Sequence, residues 1–350
     1  MVNLKELSQL SGYDISTVSR ALQNSSRVKT ETKCKILDLA KELNYYPDSR
    51  ARSLKVNKGS LIGIIIPEFS NSFYSDICEG LESVLSNEQY STIFGKSNFD
   101  FEQEKKCIDT FMQNRVDGII VCATSDKLVD YMHTIKIPVP VILAEANDDN
   151  AHDDQWGRII IDNYLGIGSV VSHLVGLGHR RIGFISDSKV TKLRQSAFVE
   201  SMRDNMLPLP EDYISVGIER NESGGYVRMK QLLNLKEPPT AVLAATDHLA
   251  IGAISAIYES GLSIPDDISI SGFDDISLSA HLAVPLTTVS QPKQEIGRLA
   301  AQKLLAVIKD GQNTLGSTFL QPTLIVRKST APPSRESQAN ALPAGLRAVR

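Results

Sequence analysis

The sequence predicts an α/β protein with an N-terminal all-α head, built on a helix-turn-helix, ahead of a two-lobed parallel α/β body. Three observations predict it. Short amphipathic segments broken by Gly12 fill the first fifty residues. From Ser60 onward, buried apolar runs alternate with amphipathic stretches. About halfway along the chain that alternation starts again.

In the head, Leu4, Leu7 and Leu10 recur at helical spacing, and Gly12-Tyr13-Asp14 breaks the pattern. Asp14 suits the N-cap of a second helix over 15–22, because its carboxylate can accept a free N–H of the first turn. A third helix is expected over 30–43, with Thr30 as cap, Glu31 in its first turn, and Ile36, Leu37, Ala40 and Leu43 on its apolar face. Two short helices joined by a Gly-containing turn and followed by a third make a helix-turn-helix bundle. In the second helix, Val18, Ala21 and Leu22 form the inner side. Ile15, Ser16, Thr17 and Arg20 point outward, short groups and one guanidinium suited to base edges in a major groove. Ser19 is placed to reach a phosphate.

In the body, Leu61-Ile62-Gly63-Ile64-Ile65-Ile66-Pro67 is continuously apolar, as a strand buried on both faces must be. Further strands are expected over 91–94, 116–121, 139–143, 182–185, 241–244 and 268–272. Helices are expected over 76–85, 102–112, 167–175, 195–206, 249–259 and 296–309. Such alternation implies parallel sheets covered by helices. Ser60-Leu61-Ile62-Gly63-Ile64-Ile65 is echoed by Arg181-Ile182-Gly183-Phe184-Ile185, and Val116-Asp117-Gly118-Ile119-Ile120 by Thr240-Ala241-Val242-Leu243-Ala244. Two similar lobes therefore follow one another. Ligands of open α/β sheets sit beyond the carboxyl ends of the strands, so the cleft between the lobes is the expected binding site.

Asp274 follows the strand over 268–272, and Arg194 opens the helix after the strand over 182–185. A carboxylate and a guanidinium in one dry cleft can hold vicinal hydroxyls through charge-assisted hydrogen bonds. Phe73 or Tyr74 can stack on a sugar ring, and Trp156 is a weaker candidate to line the cleft. Asp247 reads as a helix N-cap, Asp275 as a turn residue, and His179 as structural. Residues 331–350, rich in Pro, Ala and Ser and without period, read as a disordered tail.

Composition narrows the function. The formal net charge of -4 hides an asymmetry: residues 1–58 carry a net +5 and the remainder a net -9, as expected when only one end touches phosphates. None of the cysteines (Cys34, Cys78, Cys107, Cys122) sits in a Cys-x-x-Cys pair or beside a His cluster, so they read as reduced, mostly buried small hydrophobes without a metal. There is no apolar run of membrane-spanning length, and the N-terminus lacks a secretory signal, which points to the cytoplasm. No phosphate loop, dinucleotide fingerprint, nucleophile elbow or metal cluster appears, so neither an enzyme nor a cofactor is expected.

Residues 4–54 resemble the DNA-binding head of the LacI/GalR (lactose repressor) family. The resemblance rests on Thr17-Val18-Ser19-Arg20-Ala21-Leu22, Val28-x-x-Glu31-Thr32, Leu43-Asn44-Tyr45-x-Pro47 and Ala51-x-Ser53-Leu54. It departs at Asp14-Ile15. Across 60–328 the chain is similar to the same family and to periplasmic sugar-binding proteins, through Gly178-His179-Arg180-Arg181-Ile182, Thr246-Asp247-x-x-Ala250-x-Gly252, Gly272-Phe273-Asp274-Asp275 and Pro285-Leu286-Thr287-Thr288-Val289-x-Gln291-Pro292.

The resemblance implies a periplasmic-binding-protein-like body and DNA contacts from Asn44, Tyr45, Arg50, Ala51 and Ser53. It also implies a hinge helix that forms on operator and wedges Leu54 into the minor groove. For the effector it implies Arg194 and Asp274, with Thr246 at a position that is often Asn, and Ser70-Asn71-Ser72-Phe73-Tyr74 is similar to a further family motif. The implied partition is a head over 1–46, a hinge over 47–59, an effector-binding and dimerisation body over 60–330, and the tail. The implied function is a transcriptional regulator, of repressor type, that reads a near-palindromic operator as a homodimer under control of a small-molecule effector, a sugar or alternatively a purine. A transport-associated sugar-binding protein is the rival from another class, and the basic head argues against it.

Overall fold

The computed structural model describes residues 2–22, 24–45, 60–122, 126–146, 156–188, 192–311 and 316–334. The chain divides into two compact units, Met1–Ser60 and Leu61–Arg350.

The first unit is a three-helix bundle of α1 (Leu4–Ser11), α2 (Ile15–Leu22) and α3 (Thr30–Glu42). Asn3 and Glu6 close a reciprocal capping box on α1, and Gly12 ends it at φ 71°, a conformation that costs a residue with a Cβ about 1 kcal/mol. Leu7, Val18, Ala21, Val28, Ile36 and Ala40 form the core. Two expected core leucines are outside it: Leu10 and Leu37 are exposed, because each lies at the edge of its helix's apolar stripe and three short helices bury only a narrow seam. The cap of α3 is Lys29, with no side-chain bond; Thr30 is already helical.

The second unit holds two parallel sheets and a small antiparallel pair. The first sheet has the order β11-β5-β4-β3-β1-β2. Its strands are β1 (Leu61–Ile66), β2 (Ser91–Lys96), β3 (Gly118–Cys122), β4 (Val141–Ala146), β5 (Gly157–Ile161) and β11 (Ser317–Leu320). Ile62, Ile64 and Ile66 face α4 (Ser72–Leu85) and α11 (Lys293–Asp310), while Ile65 faces the side covered by α5 (Phe101–Gln113) and α6 (Asp126–Thr134). A strand covered on both faces must be apolar throughout, which is why β1 is so easily read.

The second sheet has the order β7-β6-β8-β9, from β6 (Ile182–Asp187), β7 (Ile214–Gly217), β8 (Ala241–Ala244) and β9 (Ser269–Ser271). Its core includes residues of α7 (Asn163–Gly176), α8 (Lys192–Asp204), α9 (Asn221–Leu233) and α10 (Asp247–Glu259). The strands β10 (Thr288–Ser290) and β12 (Thr323–Ile325) pair antiparallel beside it. The chain passes between the lobes three times: from β5 into α7, from β10 into α11, and from β11 into β12.

Three further readings need correction. Trp156 is not at the cleft: it is buried in the first lobe, with its ring 4.2 Å from that of His133. Cys34 is exposed rather than buried. The tail begins later than residue 331, because Ala331 exchanges hydrogen bonds with Ser269 Oγ and accepts one from His179 Nε2. Burial pushes the His179 imidazole down to about 4, consistent with a structural part. Residues 335–350 lie outside the described residues. Among the described residues, no helix is long and apolar enough to cross a membrane, and no group of three or more His, Cys, Asp or Glu is placed to hold a metal ion.

Candidate functional site

A cleft opens between the lobes at the carboxyl ends of both sheets. Phe73, Tyr74, Arg194, Thr246 and Asp274, singled out from the sequence, all line it. Arg194 lies in the first turn of α8. Its Nη1 donates to Asp274 Oδ1 at 3.0 Å and to the Ala245 carbonyl at 2.7 Å, its Nε donates to Asn163 Oδ1, and its guanidinium carbon sits 3.9 Å from the centre of the Phe273 ring. Across the cleft, its Nη2 is 3.6 Å from Glu145 Oε1.

Both carboxylates facing Arg194 are carried on unusual backbone. Glu145 stands at an irregularity between Ala144 and Ala146 where β4 pairs with β5, at φ 56°. A bulge of this kind turns a side chain that would otherwise follow the strand's alternation. Asp274 has φ 110°. Such backbone persists only when its surroundings hold it, and here Gln291 Nε2 donates to Asp274 Oδ1 while Lys293 Nζ donates to the carbonyls of Asp274 and Asp275. Burial pushes the Glu145 carboxyl up to about 8 against the opposing pull of Arg194. Burial raises Asp274 as well, again opposed by Arg194.

A second guanidinium, which the sequence reading missed, repeats the arrangement. Arg220 Nη1 donates to Glu68 Oε1 at 3.2 Å, and its Nε is 3.7 Å from Asp187 Oδ2. Its guanidinium carbon lies 3.6 Å from the centre of the Phe99 ring. Glu68, Phe99, Glu145, Asp187 and Arg220 all follow or end a parallel strand within a few residues. Listing every charged and aromatic residue just past each buried run would have found all of these but Arg220, whose strand β7 is short and only partly buried.

Phe73 and Tyr74 open α4, where Asn71 Oδ1 accepts from the Phe73 N–H. Their rings meet edge to face at 5.2 Å. Both rings also pack into the first lobe's core, so only part of each reaches the cavity. Thr246, not Asp247, caps α10 by accepting from the Leu249 N–H. Asp247 is instead a buried cross-link. It accepts from Ile276 N at 2.9 Å, Ser279 Oγ at 2.6 Å and Thr288 Oγ1 at 2.5 Å, and burial holds its carboxyl up at about 7. Asp275 at φ 48° is a turn residue paired with Arg327.

In the head, Ile15, Ser16 and Arg20 are exposed along one side of α2, and Thr17 and Ser19 are half-buried beside them. Asn44 is exposed at φ 48°, just beyond α3. Tyr45 packs on the head core. Arg50, Ala51, Ser53 and Leu54 lie outside the described residues.

Two family models match the chain: "Bacterial regulatory proteins, lacI family" over residues 3–48 and "Periplasmic binding protein-like domain" over residues 171–330. The chain is 32% identical to the ribose operon repressor of Haemophilus influenzae, over 94% of this chain and 98% of that protein. Among solved structures, it is similar to the lac repressor dimer bound to operator and an anti-inducer, with 28% identity, a TM-score of 0.83, and 94% and 99% of the two chains covered. It is also similar to a LacI family regulator from Enterococcus faecium with bound ribose, with 25% identity, a TM-score of 0.66, and 78% and 99% covered. The matched relatives are transcriptional repressors rather than enzymes. With a relative above 30% identity that aligns almost end to end, the chain belongs to the LacI family of bacterial regulatory proteins, which are DNA-binding transcriptional repressors.

Proposed function

We propose that this repressor is a cytoplasmic homodimer that reads a near-palindromic operator, and that a sugar in the interlobe cleft sets its operator affinity. The observation that carries the sugar reading is the buried Arg194–Asp274 pair, facing Glu145 across the interlobe cleft. Carboxylates and guanidiniums held in a dry cleft offer the acceptors and donors that vicinal hydroxyls require. Similar structures add support, since one holds ribose and another holds operator.

In this reading, Phe73, Tyr74, Arg194, Thr246 and Asp274 contact the effector. Ile15, Ser16, Thr17 and Arg20 meet base edges, Ser19 and Asn44 meet the backbone, and Tyr45 sets the end of the head over 1–46. Residues 47–59 form the hinge, where Arg50, Ala51 and Ser53 support the Leu54 wedge, and 60–330 bind effector and partner. Effector binding changes the angle between the lobes, and so changes whether the two hinges pair. The coupling is of order 1–3 kcal/mol and is reciprocal, so operator alters sugar affinity by the same factor.

The test begins with selection of a preferred duplex from a random pool by the full-length chain. Anisotropy titrations of that duplex then follow, with and without D-ribose, other monosaccharides and purines. A several-fold change in duplex affinity with a sugar is expected. Selection that yields no preferred duplex removes the operator reading, and a response to purines alone removes the sugar reading.

A further inference from the structure

We infer that the cleft selects an uncharged polyhydroxylated ring and rejects the same ring bearing a carboxylate or phosphate. The inference deepens the sugar reading above and rests on it. The observation is an imbalance of charge. Each cleft guanidinium is already held by two carboxylates of the protein: Arg194 by Asp274 and Glu145, and Arg220 by Glu68 and Asp187. Four carboxylates therefore face two guanidiniums. The other cationic groups nearby are also matched. Lys293 turns its ammonium to two carbonyls and to Asp76, 3.7 Å away. His248 Nδ1 is bonded to Glu222 at 2.5 Å. Among the described residues that line the cleft, no cation is left over to neutralise an anionic ligand.

The unfilled hydrogen-bond positions tell the same story. Beside the cleft, Glu145 Oε2 and Glu68 Oε2 are buried acceptors without a hydrogen-bond partner, and Arg220 Nε, 3.7 Å from Asp187 Oδ2 and so beyond hydrogen-bond distance, is a buried donor without one. The free His248 Nε2 can take either part. A ligand that fits must bring several donors and at least one acceptor. A hydroxyl does both. A carboxylate or phosphate oxygen only accepts, and it would add negative charge beside carboxylates already in excess. Like charges a few ångströms apart in a partly desolvated site repel strongly.

Calorimetric titrations of the full-length chain test this with matched sets: D-ribose and D-ribose 5-phosphate; D-glucose, D-glucuronate and D-glucose 6-phosphate; D-galactose and D-galacturonate. In whichever set binds, the neutral sugar is expected to bind at least about a hundredfold more tightly than its acidic counterparts. At pH 9, above the point near 8 where Glu145 ionises, Glu145→Gln and Glu68→Gln each remove one negative charge at nearly constant shape. Either variant, once shown folded by circular dichroism, is expected to narrow that preference by about tenfold. An acidic member that binds as tightly as its neutral parent, or a preference unmoved in both variants, overturns the inference and leaves the sugar reading standing. Failure of every sugar, neutral and acidic alike, removes the sugar reading and this inference with it.

Discussion

The lobe built on β1 and the lobe built on β6 repeat one strand order, β2-β1-β3-β4 and β7-β6-β8-β9, yet they furnish the cleft differently. The first lobe brings carboxylates and rings: Glu68, Glu145, Phe73, Tyr74 and Phe99. The second brings both guanidiniums, with Asp187 and Asp274 beside them. Each arginine thus has one carboxylate in its own lobe and one across the gap. A shared scaffold fixes where side chains emerge, and the loop residues decide the chemistry. Here the chemistry makes closure of the cleft partly electrostatic, because opening it strips each guanidinium of one partner.

The largest test of this asymmetry is Arg194→Ala. The substitution leaves Asp274 and Glu145 buried without their cation and is expected to cost about 3 kcal/mol in urea unfolding. It should also abolish any sugar-induced thermal shift. A loss under about 0.5 kcal/mol would mean that solvent already serves those carboxylates. Asp247→Ala comes next. It takes the shared acceptor from one backbone and two side-chain donors wholly inside the second lobe, with an expected loss of about 2 kcal/mol and no change in the neutral-to-acidic preference of the cleft.

A pH series gives a smaller effect with a definite sign. Glu145 at about 8 and Asp247 at about 7 both titrate above the ordinary carboxylate range. The folded state therefore holds these protons more tightly than the unfolded chain does. Their contribution is full below about 4 and is lost as pH climbs from about 4 to 8. The unliganded urea midpoint should fall over that range, and Glu145→Gln should remove part of the slope. The smallest expected effect is in a double-mutant cycle of Arg220→Ala and Glu68→Ala, with a coupling of about 0.5–1 kcal/mol. The pair is only partly buried, with side chains 20% and 15% exposed. A coupling of zero would mean that this pair does not help to tie the lobes together.

Buried parallel strands and long amphipathic helices were legible in the sequence, because the first are continuous apolar runs and the second carry a helical period. Most of the elements it did not reveal lack that signal; α6, with Leu128 and Met132 one turn apart in the first lobe's core, carries it and was missed as well. The strand β5 places Arg158 among its isoleucines, and β7, β10 and β12 are three or four residues long. The helix α9 has no apolar stripe at its start, where Asn221, Glu222, Ser223, Gly224 and Gly225 stand. It packs by proximity instead: a Cβ on Gly225 would strike the backbone of Leu249, and one on Gly252 the backbone of Glu222. Glycine serves there as contact surface, which hydrophobic patterning does not register. The cleft was legible only at Arg194, Asp274, Thr246, Phe73 and Tyr74. Glu145 stayed hidden because a strand pattern gives no notice of a bulge, and Arg220 because the short strand ahead of it did not stand out.

The three crossings of the chain between lobes have a mechanical consequence. One tether would act as a swivel, whereas two already define a line about which the lobes turn, and a third strengthens it. Three covalent links side by side confine the relative motion to rotation about a single line through them, as a door turns on a row of pins. Rotation about a fixed line converts a small change in ligand packing into a proportionate displacement far from it, with little energy lost to sliding. Lengthening just one of the three links by a residue would tilt that line, so the lobes could still come together but no longer face to face.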